Sequence, residues 1–168
     1  IERNKLESML GFCEVTSCRR RVLLNYFGES SSQPCCNCDN CLSPVQTWDG
    51  SEASQKALSC IYRSEQRFGV NQLIDILRGA DTEKIKQFNH QNLCTYGIGK
   101  ELSVQQWGSV YRQLITRGFI EVDMQAFGAL KLTNSCRPLL RGEQPITFRV
   151  EQKQQNRRHK QQTQIKAQ

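Results

Sequence analysis

The stretch Cys35-Cys36-Asn37-Cys38-Asp39-Asn40-Cys41, with Cys18 upstream, is where residue type and spacing point to chemistry. Two residues between successive thiolates let the chain reverse sharply. The sulfurs can then face one centre while backbone N–H groups point at them. Cys18, Cys35, Cys38 and Cys41 make a four-sulfur set of the kind Zn²⁺ takes tetrahedrally at about 2.3 Å, with no open position. Such a site is structural. Cys36 is the odd member, because using it would leave one residue before Cys38, too few for the turn. A redox pair or a disulfide cluster is the alternative. Against it, Cys13, Cys60, Cys94 and Cys136 are scattered in helical or apolar contexts without framework spacing.

Other sequence features offer little catalysis. Gly97-Ile98-Gly99-Lys100-Glu101 lacks the four residues between glycines, and the Ser or Thr after Lys, that a phosphate-binding P-loop needs. His90 and His159 are the only histidines, and neither has metal-ligand spacing to the cysteines. No Ser/His/Asp set or carboxylate pair stands in a recognisable context.

A chain of 168 residues with 38% hydrophobic and 23% charged residues has the composition of a soluble, mostly globular protein with one ordinary core or two small ones. No run approaches the roughly 18 to 20 apolar residues of a membrane span. Nine cysteines without a secretory signal point to a reducing compartment, the cytoplasm, and to a metal. The first residue is Ile1, which reads as an excised domain or fragment. Of the net charge of +7, residues 149–168 carry +5, so the body before them holds only +2. Affinity for nucleic acid must then come from how charges are arranged.

The elements follow from periodicity. Leu6, Met9, Leu10 and Cys13 fall at helical spacing over 2–14, and Val22, Leu23, Tyr26 and Phe27 over a second helix opened by Thr16 or Ser17 and ended by Gly28. Arg19, Arg20 and Arg21 open that second helix at the dipole end that disfavours cations, so a carboxylate or a partner is expected nearby. The zinc-clipped helical hairpin spans 1–43. Residues 44–50 read as a linker, and 51–143 as helices followed by a two-stranded wing, a winged helix. The helices are expected over 51–64, 70–77, from Asp81 or Thr82, and 103–117; the wing alternates over 119–124 and 129–133. Residues 144–168, basic and Gln-rich, read as a disordered tail. The fold class is mostly α.

Beyond the cysteines, Cys18-Arg19-Arg20-Arg21 through Tyr26-Phe27-Gly28-Glu29, Gln66-Arg67-Phe68-Gly69, Ile76-Leu77-Arg78-Gly79, Tyr96-Gly97-Ile98-Gly99-Lys100 and Arg112-Gln113-Leu114-Ile115 run in one order. This long collinear pattern resembles the zinc-binding and winged-helix region of bacterial RecQ-type DNA helicases, from the N-terminus to about Arg141-Gly142-Glu143. The resemblance implies one structural Zn²⁺ and a part in 3'-5' unwinding during replication, recombination and repair. It also implies ATP and Mg²⁺ in motor domains upstream of Ile1. Duplex or forked DNA is the implied partner, a single-strand-binding protein a further candidate, and the chain a monomer without membrane attachment. A freestanding zinc-containing winged-helix regulator or interaction adaptor is the other reading.

Three groups of DNA-contact candidates are expected. Arg78, Gly79 and Thr82, flanked by Lys84 and Lys86, form an Arg-Gly turn before a helix N-terminus, where free backbone N–H groups suit a phosphate. In RecQ-like winged helices this turn lies against duplex backbone. Lys100 and Arg112 are exposed candidates around the helix 103–117. Phe127 occupies the wing tip, where an aromatic more often packs inward; in some RecQ proteins such a residue stacks on the terminal base pair. The wing is short beside that family's strand-separating hairpins.

Overall fold

The computed structural model describes residues 2–30, 33–43 and 45–150. Residues 2–43 contain α1 (Glu2–Glu14), α2 (Arg19–Tyr26) and a single helical turn, α3 (Asp39–Leu42). The remainder contains β1 (Thr47–Asp49), α4 (Ser51–Arg63), α5 (Val70–Arg78), α6 (Glu83–Gln87), α7 (Val104–Thr116), β2 (Ile120–Asp123), β3 (Ala129–Leu132), α8 (Arg137–Leu140) and β4 (Thr147–Arg149).

The core lies in the second part. The strongly one-sided helices α4, α5 and α7 turn Leu58, Ile61, Leu73, Leu77, Trp107 and Leu114 inward, all fully buried. Ser103 caps α7 in a full capping box: its hydroxyl accepts from Gln106 N at 3.2 Å, and Gln106 Oε1 accepts from Ser103 N at 2.9 Å. Thr82 caps α6, accepting from Ile85 N at 3.4 Å. The wing is the antiparallel pair β2–β3, with Ile120 opposite Leu132 and Val122 opposite Leu130. Its second strand is tied to the loop after α4 through Leu130 N–H to the Phe68 carbonyl, 3.0 Å, and Leu132 N–H to Gln66 Oε1, 2.8 Å. Helices with a short β-hairpin wing behind a helical zinc module make the winged-helix architecture.

The segments expected as a linker and as the start of a tail are folded. β1 and β4 pair antiparallel, Trp48 opposite Phe148, and Phe148 is fully buried over Gly50, where a side chain would collide with its ring. Ile146 is buried as well. Three-residue strands joined across most of the chain carry no local signal, which is why periodicity misses them. Residues 151–168, the rest of the expected tail, lie outside the described residues.

The two N-terminal helices depart from their expected roles. Leu6, Met9 and Leu10 of α1 and Leu23, Tyr26 and Phe27 after them are exposed, and α2 buries no residue. Instead α1 docks on α7 through Gly11, where any side chain would meet Thr116. Cys18, not Thr16 or Ser17, is the N-cap residue of α2.

His90 is buried against Phe68 edge-on at 4.6 Å and stacked on Phe88 at 5.6 Å, with Gln72 Nε2 at 3.1 Å from Nδ1. Burial holds its imidazole below the ordinary value of 6.5. The unfolded chain takes up a proton near pH 6.5 that the folded chain resists, so stability is full above that pH and falls as pH drops through it. Urea midpoints measured on either side of pH 6.5 should therefore differ, and His90→Gln should shrink the difference. Phe148→Ala should cost about 3–5 kcal/mol, as for a fully buried ring, read as a fall in the thermal midpoint.

Candidate metal centre and nucleic-acid interface

The four sulfurs of Cys18, Cys35, Cys38 and Cys41 all lie within 4.8 Å of one another. That separation suits four thiolates around one Zn²⁺, and no protein oxygen or nitrogen is needed to complete the set. Local structure aims each of them. Cys18 and Cys38 sit at the N-cap positions of α2 and α3, and Cys41 lies on α3. Backbone N–H groups of Cys35 and Arg21 reach the Cys18 sulfur, the first at 3.3 Å, and lower its thiol to about 6. Cys41 is pushed up to about 12, chiefly by its hydrogen bond with Cys38. Cys36 stands apart, with a positive φ of 54° and its sulfur 3.7 Å from the Pro34 carbonyl.

Arg19 resolves the cation at the start of α2. Its Nε donates to Asp39 at 2.6 Å, and its Nη1 donates to the Phe12 carbonyl at 2.7 Å, with the guanidinium over the Phe12 ring. Asn40, buried in the knuckle, donates to the carbonyls of Val15 and Ser17 at 2.8 and 2.9 Å. One arginine and one amide thus tie the metal loop to the end of α1.

Residues 1–42 match the RecQ zinc-binding family, and residues 44–157 match the RQC domain. The chain belongs to the RecQ family. It is 51% identical over 149 residues to the ATP-dependent DNA helicase RecQ of Pasteurella multocida, covering 88% of this chain and 24% of that protein. It is 47% identical over 147 residues to that of Haemophilus influenzae, covering 87% and 24%. It is 33% identical over 139 residues to that of Bacillus subtilis, covering 83% and 24%. The chain thus spans about a quarter of the length of these relatives. The four-cysteine cluster is the structural zinc site of a RecQ zinc-binding domain, and the winged helix is its RQC domain. A freestanding regulator or adaptor is not favoured. No helix among the described residues is long and apolar enough to cross a membrane.

The expected DNA-contact residues are distributed unevenly over this RecQ fragment. Gly79 ends α5 in the left-handed conformation and packs back to back with Gly97, also left-handed: a Cβ at Gly79 would lie 3.1 Å from the Gly97 Cα and 3.1 Å from Lys100 Cε. Gly97 N–H and Gly99 N–H donate to the carbonyls of Ile76 and Leu77, at 2.8 and 2.7 Å, and Tyr96 Oη donates to the Ala80 carbonyl at 3.2 Å. The Gly-Ile-Gly-Lys loop is therefore a staple on the end of α5, and it lays Lys100 against Gly79, next in the chain to the exposed Arg78. Thr82 and the exposed Lys84 follow directly. Lys86 pairs with Asp81 at 2.8 Å. The helix after this turn has only five residues, so its dipole adds little.

Arg112 is a correction. Expected as an exposed DNA contact, it is half-buried between α1 and α7, its Nε donating to both Glu14 oxygens at 3.1 Å and its Nη2 to Oε1. Missed by sequence reasoning were Arg117, which donates to Thr16 Oγ1 and the Thr147 carbonyl, and Arg149, which donates to the Cys13 carbonyl. These arginines gather at the C-terminal end of α1, where cations meet its unpaired carbonyls. Phe127 is corrected in the other direction. Its ring is wholly exposed, and its φ is +53°.

Elemental analysis of purified variants should find one zinc per chain in the parent and in Cys36→Ser. Cys38→Ser should lose it and unfold residues 1–43, seen as lost helical ellipticity, because α2 has no core to fall back on.

Proposed function

We propose that this chain is the duplex-docking region of a RecQ-type 3'-5' DNA helicase that works, with ATP- and Mg²⁺-dependent motor domains, in DNA replication, recombination and repair. A zinc module over 1–43 stiffens the mount, and a winged helix over 45–150 meets DNA. The observation that carries this reading is the packing of Gly79 against Gly97, which lays Lys100 against Gly79, next in the chain to the exposed Arg78 and just before Thr82 and Lys84. Two long cations on a backbone free of side chains suit a phosphate ladder and are indifferent to base identity. The exposed ring of Phe127 at the wing tip supports a contact with the end of a duplex, where the first unpaired step begins. Binding as a monomer fits forked or tailed duplex, with no need for a palindromic site. A single-strand-binding protein is a natural companion for the unwound product.

Affinity should fall steeply with salt and vary little with base sequence. Arg78→Ala should weaken duplex binding by about 1–2 kcal/mol uniformly and lower the salt slope by about 1. Phe127→Ala should cost about 1–3 kcal/mol on blunt or forked ends and nothing on a covalently closed duplex, since only an exposed base offers a stacking face. Fluorescence anisotropy on both substrates separates the two. Equal losses for Phe127→Ala on closed and open duplexes would remove the end-stacking role, and no effect of Arg78→Ala would remove the docking turn.

A further inference from the structure

Between the zinc module and the winged helix runs a broad groove of about 2320 Å³ that meets the proposed duplex surface only at Lys84 and Phe127. One wall is α1 and α2, and the other is the start of α5, α7 and the wing. Its charge is one-sided. With Arg112 neutralised by Glu14 and Arg67 paired to Glu65, Lys5, Arg21, Lys84 and Arg117 remain against a single lining carboxylate among the described residues, Asp75. Its aromatic groups are open at both ends. Tyr26 and Phe27, edge to face at 5.2 Å, are 81% and 75% exposed on the zinc-module side, and Phe88 and Phe127 are exposed on the other.

We infer that this groove binds an unpaired DNA strand, with Tyr26 and Phe27 as the stacking platform and Arg21 and Lys5 as phosphate contacts. Cations alone would suit a duplex, but a duplex keeps its bases stacked inside and leaves the aromatic pair without a partner. Aromatic rings alone would suit an apolar peptide, which has no use for four cations facing one carboxylate. Only an unpaired strand offers both a regular anionic backbone and open base faces. Phe127 lines the groove at the wing tip, so a strand parted from a duplex at that tip would have the groove beside it. The site shares Lys84 with the proposed docking turn but none of Arg78, Gly79, Thr82 or Lys100.

The test uses the zinc-loaded 168-residue chain with a fluorescein-labelled oligo-dT of roughly 15 nucleotides, a length set by single-strand site sizes, beside a blunt hairpin duplex. Tyr26→Ala/Phe27→Ala and Arg21→Glu should each weaken oligo-dT binding about tenfold or more and leave hairpin binding unchanged; Arg78→Ala should do the reverse. Tyr26 and Phe27 are solvent-facing and Arg21 is half-buried, and zinc content with circular dichroism checks that the fold is retained. Phe27→Trp should keep affinity and show tryptophan emission quenched by oligo-dT beyond that of the parent, as a stacked base requires. Unchanged oligo-dT affinity in the double and Arg21 variants, or no added quenching in Phe27→Trp, would overturn the inference. So would self-association through Tyr26 and Phe27 in sedimentation velocity, which would make the groove a contact between copies.

Discussion

Four thiolates that repel one another unless a cation sits between them hold the first forty residues together. α2 buries none of its side chains, and Leu6, Met9 and Leu10 of α1 face solvent. Hydrophobic burial therefore cannot fix the hairpin, and the metal must. The arrangement also explains the polar devices crowded around it. Arg19 bridges Asp39 and the end of α1, and Asn40 fastens the knuckle to Val15 and Ser17. Each becomes useful only once the sulfurs have closed on their ion.

A module without a core of its own can still act as a rigid mount if it is bolted to something that has one. That bolt is the end of α1. Gly11 allows the helix to lie close on α7, and Glu14 meets Arg112 in a half-buried, bidentate pair. Arg117 and Arg149 reach across from the winged helix to Thr16 and the Cys13 carbonyl. Breaking one partner of such a pair costs more than the pair contributes, because it strands the other charge in a desolvated place. The zinc site and the turn proposed to dock DNA are thus held in register by groups that belong to neither.

How much of this was legible in the sequence depends on the range over which the signal acts. The cysteine spacing and the capping serine before α7 are local patterns and pointed to their structures directly. So did the alternation of the wing and the apolar stripes of α4, α5 and α7. The β1–β4 pair was not legible, since neither three-residue strand shows its partner a hundred residues away. Arg112 was misread for a related reason. A helical wheel reveals which face is polar but not whether that face meets solvent or a second module with a waiting carboxylate. The stripe of α1 misled in the opposite sense: its spacing fits a buried face, yet the surface it presents is open.

The wing tip shows how local strain and exposure combine. A residue with φ of +53° is normally glycine or asparagine, and a phenylalanine there gives up backbone energy of order 1 kcal/mol. Gly128, next along and also at positive φ, would permit a tighter turn without help. Asp123 stiffens the bend, its Oδ1 accepting from Gln125 and Ala126 N–H at 3.0 and 3.1 Å, so the turn is held in shape without any contact from the ring. Packing inward would recover apolar burial worth about 1.5–3 kcal/mol for a side chain of this size. The fold instead keeps the ring out, on a braced turn at the mouth of the groove. In energetic terms that is a surface left incomplete, which is why a nucleobase face is the partner we propose for it.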